Sequence, residues 1–153
     1  MKLKGIIQLK GHVQLLDAKT REVLAESDNI VVTTGQELTG YLLINAPGIT
    51  IGISYCAFGT DGTAPADADT TLTVEAGREQ ITQKNCALNV ITLDTFFTAA
   101  ESTFHILEVG LFGHDASMTP DSGMMFSHAL LDYDNSGAPR DLVINWTITI
   151  THP

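Results

Sequence analysis

The groups that could do chemistry in this chain are its carboxylates, five histidines and two cysteines, and their spacing limits what they can do. Asp61, Asp67 and Asp69 lie in GTDGTAPADADTT (59–71), where hard oxygen ligands on a loop would suit a cation such as calcium. An EF-hand order fails when counted from Asp61, because Gly62 and Thr63 come too early. A solvated loop is the expected state, and the spacing leaves open whether the three carboxylates hold a cation. His12, His105, His114, His128 and His152 form no close pair along the chain. His105 and His128 fall in different expected strands and could meet on one sheet face. His114 and Asp115, with Asp121, could bind a metal. Each histidine is nevertheless expected to be an ordinary polar surface residue.

Glu108 is more informative, because it sits inside ILEVGLF with apolar neighbours on both sides. A carboxylate taken out of water needs a hydrogen-bonding or charged partner. Arg78, in a charged group with Glu75 and Glu79 near a strand start, is the candidate partner by residue type. An ion pair that pins a loop or a subunit contact is the expected role, since a catalytic acid would need a second poised group. The chain carries no P-loop, no dinucleotide-binding glycine pattern, no H-E-x-x-H, no C-x-x-C and no G-x-S-x-G. No catalytic, cofactor-binding or metal-binding residue is assigned, no cofactor is expected, and the protein is read as a non-enzyme.

These groups must be positioned by strands. Ile7, Leu9, Val13 and Leu15 alternate with polar residues, DAKTRE (17–22) reads as a turn, and 23–32 runs back as the second arm of a hairpin. Further strands are expected at 49–58, 87–97, 104–112, 124–131 and 142–150, while 72–83 resists assignment. The 49–58 run is apolar or small on both faces, as in a central strand covered from both sides. One helix is expected at about residues 35–44. Thr34 and Glu37 have capping-box spacing, Leu38, Tyr41 and Leu42 form one apolar stripe, and Asn45 with Pro47-Gly48 ends it. That stripe would lid an open end or face of a sandwich. Seven to nine strands without intervening helices exclude parallel βαβ units. The expected fold is all-β, a single antiparallel sandwich domain over 1–153, jelly-roll-like, with one short helix.

Composition narrows the partners. The formal net charge is -10 with only 8 Lys and Arg, which argues against a nucleic-acid binder and against docking on anionic membrane. Cys56 and Cys86 each lie in a strand-like run and are expected as buried free thiols. The N-terminal MKLKGIIQLKGH lacks the apolar region of a secretory signal, and no apolar run approaches a membrane span.

Several stretches, taken in order, resemble a known group. They are NIVVTTG (29–35) before a short helix, FGTDGTAP (58–65) after a strand, DTTL (69–72) leading to Glu75 and Arg78, ILEVGLF (106–112), GMMFS (123–127) and a terminal strand with WTITI (146–150). This order resembles small virion structural proteins of tailed bacteriophages, described as head decoration, tail-collar or tail-fibre-associated components. The resemblance spans residues 29 to the end. It departs from the usual pattern at GMMFS, where a basic residue is expected. It implies an all-β virion protein, commonly a homotrimer, made in the host cytoplasm. Its partners would be the major capsid protein or tail and collar proteins of the same virion. A capsid decoration (cement) protein is the leading expectation, a tail, collar or baseplate component the second, and a carbohydrate-binding host-recognition module the third.

Overall fold

The computed structural model describes residues 7–49 and 52–152. Nine strands and one helix follow in the order β1 (Gln8–Asp17), β2 (Val23–Val31), α1 (Thr33–Leu43), β3 (Tyr55–Gly59), β4 (Glu75–Gln80), β5 (Gln83–Ala87), β6 (Val90–Phe97), β7 (His105–Gly113), β8 (Met124–Asp134) and β9 (Leu142–Thr151). All pairings are antiparallel, in the spatial order β4-β3-β7-β8-β2-β1-β9-β6-β5. The fold is therefore the expected all-β antiparallel one.

The sheet is one continuous ladder, and chain connectivity makes it curl. β4 and β5 are its two edges, yet only Ile81 and Thr82 separate them in sequence. Consecutive Cα atoms lie about 3.8 Å apart, so so short a link forces the edges together. β2 is the corner where the halves join: Gly11 to Leu16 of β1 pair with its first part, and Ile30 and Val31 pair with His128 and Ser127 of β8. The halves face each other across the main core. Val13, Leu15, Leu93, Ile144, Trp146 and Ile148 come from one side, and Cys56, Phe58, Val109, Leu111 and Leu131 from the other. The Phe58 and Phe97 rings meet edge-on at 5.1 Å. Buried Trp146 donates its indole N–H to the Cys56 sulfur at 3.4 Å.

A second, smaller cluster lies on the outer face of β3, β7 and β8, where Val32, Ala57, Leu72, Phe112 and Met125 pack together. β3 is thus covered on both faces, as its sequence implies. Its length differs from expectation, because the strand is Tyr55–Gly59 and Gly52 to Ser54 are not extended ladder. Thr50 and Ile51 lie outside the described residues. The 87–97 run is a strand with a turn before it: Ala87 ends β5, Leu88 and Asn89 form the tip of the β5–β6 hairpin, and β6 begins at Val90. All of β5 is exposed, so Cys86 is an exposed thiol rather than a buried one, whereas Cys56 is buried; both are free.

The helix begins two residues earlier than its spacing predicts, and without the capping box. Val32 is the N-cap and offers no side-chain bond. Its amide is held by the carbonyl of Phe126 at 3.2 Å, so the sheet decides where the helix starts. The Thr34 hydroxyl donates to the carbonyl of Met125 at 2.6 Å instead of capping. The Glu37 carboxylate accepts the Tyr41 hydroxyl one turn on. Gly35 permits this docking, since a Cβ there would lie 2.0 Å from the Phe126 carbonyl oxygen. Leu38 is fully buried, but Leu42 is exposed and Tyr41 only half-buried. The lid is therefore anchored through Gly35 and Leu38, and the stripe does not continue into the core. Leu38→Ala should cost about 2–5 kcal/mol in denaturant unfolding, the range for a buried leucine. Leu42→Ala should stay within about 0.5 kcal/mol, as at a surface position.

Candidate functional site

The most concentrated polar chemistry lies on the outer face of β4-β3-β7-β8, under the loops 60–74 and 114–123. A β-bulge in β7 creates it. Pairing with β8 skips a residue between Ile106 and Glu108, so Ile106, Val109 and Leu111 face the main core while Phe112 faces outward. Glu108 is delivered to the outer side with it, consistent with the re-aiming that bulges produce. There Glu108 is 0% exposed.

Glu108 is satisfied by loop amides and one imidazole. Its Oε1 accepts the Val74 N–H at 2.7 Å, and its Oε2 accepts the Thr73 N–H at 2.9 Å. The His128 Nε2 lies 3.0 Å from the same Oε2, and the His128 Nδ1 lies 2.8 Å from Asp69 Oδ2. Both ring nitrogens of a buried histidine thus face carboxylates. Asp69 also accepts the Ala66 N–H at 2.8 Å. Burial pushes the Asp69 carboxyl up, but the Ala66 amide and His128 outweigh it and hold it below the usual carboxylate range. Gly59 makes room, because a Cβ there would lie 2.4 Å from Glu108 Oε1. Thr33 N–H donates to the Asp67 carbonyl at 2.8 Å and ties the same loop to the start of α1.

A second buried pair holds the other loop. Pairing of β3 with β4 slips between Phe58 and Gly59 and passes over Ala76, which brings Glu75 and Arg78 to one side of β4. Arg78 Nε and Nη2 meet the two Glu75 oxygens at 2.7 and 2.8 Å, a bidentate fork. Arg78 Nη1 donates to the Ser122 carbonyl at 2.9 Å, and the guanidinium lies 4.2 Å from the centroid of the Phe112 ring. The Asp121 N–H donates to Glu75 Oε2 at 3.1 Å. Arg78 is therefore not the partner of Glu108. Glu75, close along the same strand, takes its fork, and His128 with two amides takes Glu108.

The other candidates do not converge. Asp61 sits in a local turn, where the Thr63 hydroxyl and then the Thr63 N–H, at 2.7 Å, hold its carboxyl below the usual range, while Asp69 is committed to His128. Among the described residues no group of three or more His, Cys, Asp or Glu side chains could hold a metal ion, which covers Asp61, Asp67 and Asp69 as well as His114, Asp115 and Asp121. His105 and His128 do not meet: they lie opposite Asp134 and Gly110 respectively, and His105 bonds Asp132 at 2.7 Å in solvent. His12 is a surface residue on β1 whose ring faces Asp28 at 2.8 Å and Glu26 at 3.2 Å; the Asp28 bond is the main cause of its raised pKa. Glu79 is pushed above the usual carboxylate range by burial and then by the charge of Glu101. Burial pushes the Cys56 thiol up to about 12, which makes it a poor nucleophile at neutral pH.

His128 is the residue that sequence reasoning undervalued. Its signal was the same as that of Glu108, a titratable group inside an apolar strand, MMFSHALL (124–131). No family model matches this chain, and comparison with curated proteins and with solved structures gives no match.

Chemically, both networks direct their bonding capacity at the chain itself. They hold two long loops on a sheet face. Glu108→Ala should cost about 3–5 kcal/mol, because it strands His128 and two amides, and limited proteolysis should then cut within residues 60–71. Acid should weaken the same loop. The folded-state pKa of Asp69 is depressed, so its stabilising contribution is present above the unfolded value of about 3.9 and is lost as pH falls through the lower folded value. Asp69→Asn should remove that part of the acid sensitivity in a pH series of unfolding curves.

Proposed function

We propose that this chain is a non-enzymatic structural protein of a tailed-bacteriophage particle, acting as a decoration protein that binds the outside of the assembled head as a homo-oligomer. One observation carries the reading: the motif residues that resemble phage virion proteins are used for architecture. The 29–35 stretch leads β2 into the docked helix. Glu75 and Arg78 hold one loop, and Glu108 takes the amides of Thr73 and Val74, just after the DTTL stretch. Cys56 is a weak nucleophile, and the histidine between two carboxylates is buried. Trp146 is fully buried and offers no stacking platform for a sugar. Among the described residues no helix is long and apolar enough to cross a membrane.

A rigid β domain with pinned loops suits cementing. A protein that binds only the assembled shell stabilises it by mass action, and symmetry multiplies shallow contacts into avidity. The test is to count the chain in intact particles by quantitative mass spectrometry and to heat particles made without it. Hundreds of copies and a loss of heat resistance are expected. Copies in multiples of three or six at a single vertex would instead assign it to the tail or collar, and unchanged resistance at high copy number would overturn cementing.

A further inference from the structure

Helix α1 starts without a cap of its own. Val32 at the N-cap makes no side-chain bond, and no acidic residue stands in the first turn. Eleven residues that include Thr33, Thr34, Gly35, Thr39 and Gly40 make a helix too short and too weak in propensity to stand alone. The first helical amide, that of Thr33, would be an orphan donor. It is taken by the Asp67 carbonyl, at 2.8 Å, from the loop over residues 60–74. A backbone carbonyl on a distant segment thus replaces the missing cap.

That loop has a pinned base and a latched tip. At the base the Thr60 N–H donates to the Val74 carbonyl at 3.0 Å, and Glu108 takes the Thr73 and Val74 amides. At the tip the Asp69 N–H donates to the Ala66 carbonyl at 3.0 Å, and Asp69 Oδ2 takes the Ala66 N–H at 2.8 Å, which closes residues 66–69 around Asp67. Among the described residues, two bonds tie this tip to the rest of the chain: Asp69 to His128 Nδ1 at 2.8 Å, and Asp67 to Thr33. The frame for both is one stretch of β8, since the Met125 and Phe126 carbonyls hold the Thr34 hydroxyl and the Val32 N–H. The Asp69 side chain is 28% exposed, while that of His128 is 2% and that of Glu108 0%. Solvent therefore meets the latch at the tip before it reaches the base.

We infer that the loop tip is a removable cap on α1, and that tip and helix open and close as one unit while the base of the loop and the sheet stay shut. Segments that open together below the global unfolding free energy are common in folded domains. Here the unit has a fastener, Asp69 on His128, and a link, Asp67 on Thr33. Undoing the fastener withdraws the Asp67 carbonyl and leaves the helix uncapped. The order of a helix that exposes Leu43 is thereby set by a carboxylate on a different segment. Coupling of this kind is reciprocal, so a firmer helix holds the tip more firmly. None of this depends on a place in a virus particle.

Hydrogen exchange of single amides, followed by NMR on the full chain through a series of low denaturant concentrations, tests the coupling. In the wild type the Asp69, Gln36 and Leu38 amides should open with one common free energy, below that of Val13 and Trp146 in the main core. Asp69→Ala should speed Gln36 and Leu38 by about fivefold, the factor that corresponds to a lost cap. Gly40→Ala works from the other side and favours the fold. A Cβ at residue 40 has nothing within 4 Å, and alanine in place of a helical glycine should slow opening of the helix by about threefold. The Asp69 amide should then slow by the same factor as Gln36, although the new methyl touches no part of the loop. Helix amides that ignore Asp69→Ala overturn the inference, as does slowing in Gly40→Ala that stops at the helix. An Asp69 or Gln36 amide that exchanges only together with Val13 and Trp146, through global unfolding, overturns it too.

Discussion

A carboxyl group with no exposure to water is the constraint on which this architecture depends. Burying Glu108 costs several kcal/mol unless its oxygens are met by donors. β7 cannot supply them, because its own amides belong to the ladder. The donors come from Thr73, Val74 and His128, so the loop over residues 60–74 must lie on the sheet for the strand beneath it to be stable. His128 in turn needs Asp69 from the same loop. A stretch whose composition suggests a free loop is thereby made part of the folded body, and the outer layer of the sheet acquires its own small apolar core around Leu72 and Phe112.

The β pattern was legible because period-2 alternation survives wherever one face meets the core. β1 and β9 show it plainly, with Val13, Leu15, Ile144 and Trp146 inward. It was lost where that rule breaks. β4 buries the charged side chains of Glu75 and Arg78, so it has no apolar stripe to read. β5 is an exposed edge, and nothing in its residues reports burial. The helix was recognisable as a helix, but its start depends on a carbonyl of β8, which no local spacing encodes. The burial of Glu108 could be read from its apolar neighbours. Its partner could not, because register shifts in the β7–β8 pairing and between β3 and β4 decide which side chains share the outer face.

The two polar networks differ in what they ask of the chain. Glu75 and Arg78 are three residues apart, so their fork needs little closure of intervening chain. Asp69, Glu108 and His128 are brought from three separate segments, and each contact closes a loop of tens of residues. Loop-closure entropy rises only slowly with length, so the long-range contacts are affordable once the sheet exists. Neither network favours the early, local steps of folding. Single-residue changes in the second network are expected to propagate farther than those in the first.

The corner strand β2 gives the sandwich an asymmetric hinge line. On one side it is bound to β1 along six paired positions, and on the other it meets β8 at only Ile30 and Val31. The Ser27 hydroxyl adds one bond across this junction, to the carbonyl of Leu130 at 2.5 Å. The ladder is therefore shortest where its halves join, and only the Val32 N–H and the Thr34 hydroxyl, on the Phe126 and Met125 carbonyls, extend the junction into the helix. Thermal opening should begin along that seam. It would part the two layers as a cover lifts from a book while each half kept its own ladder.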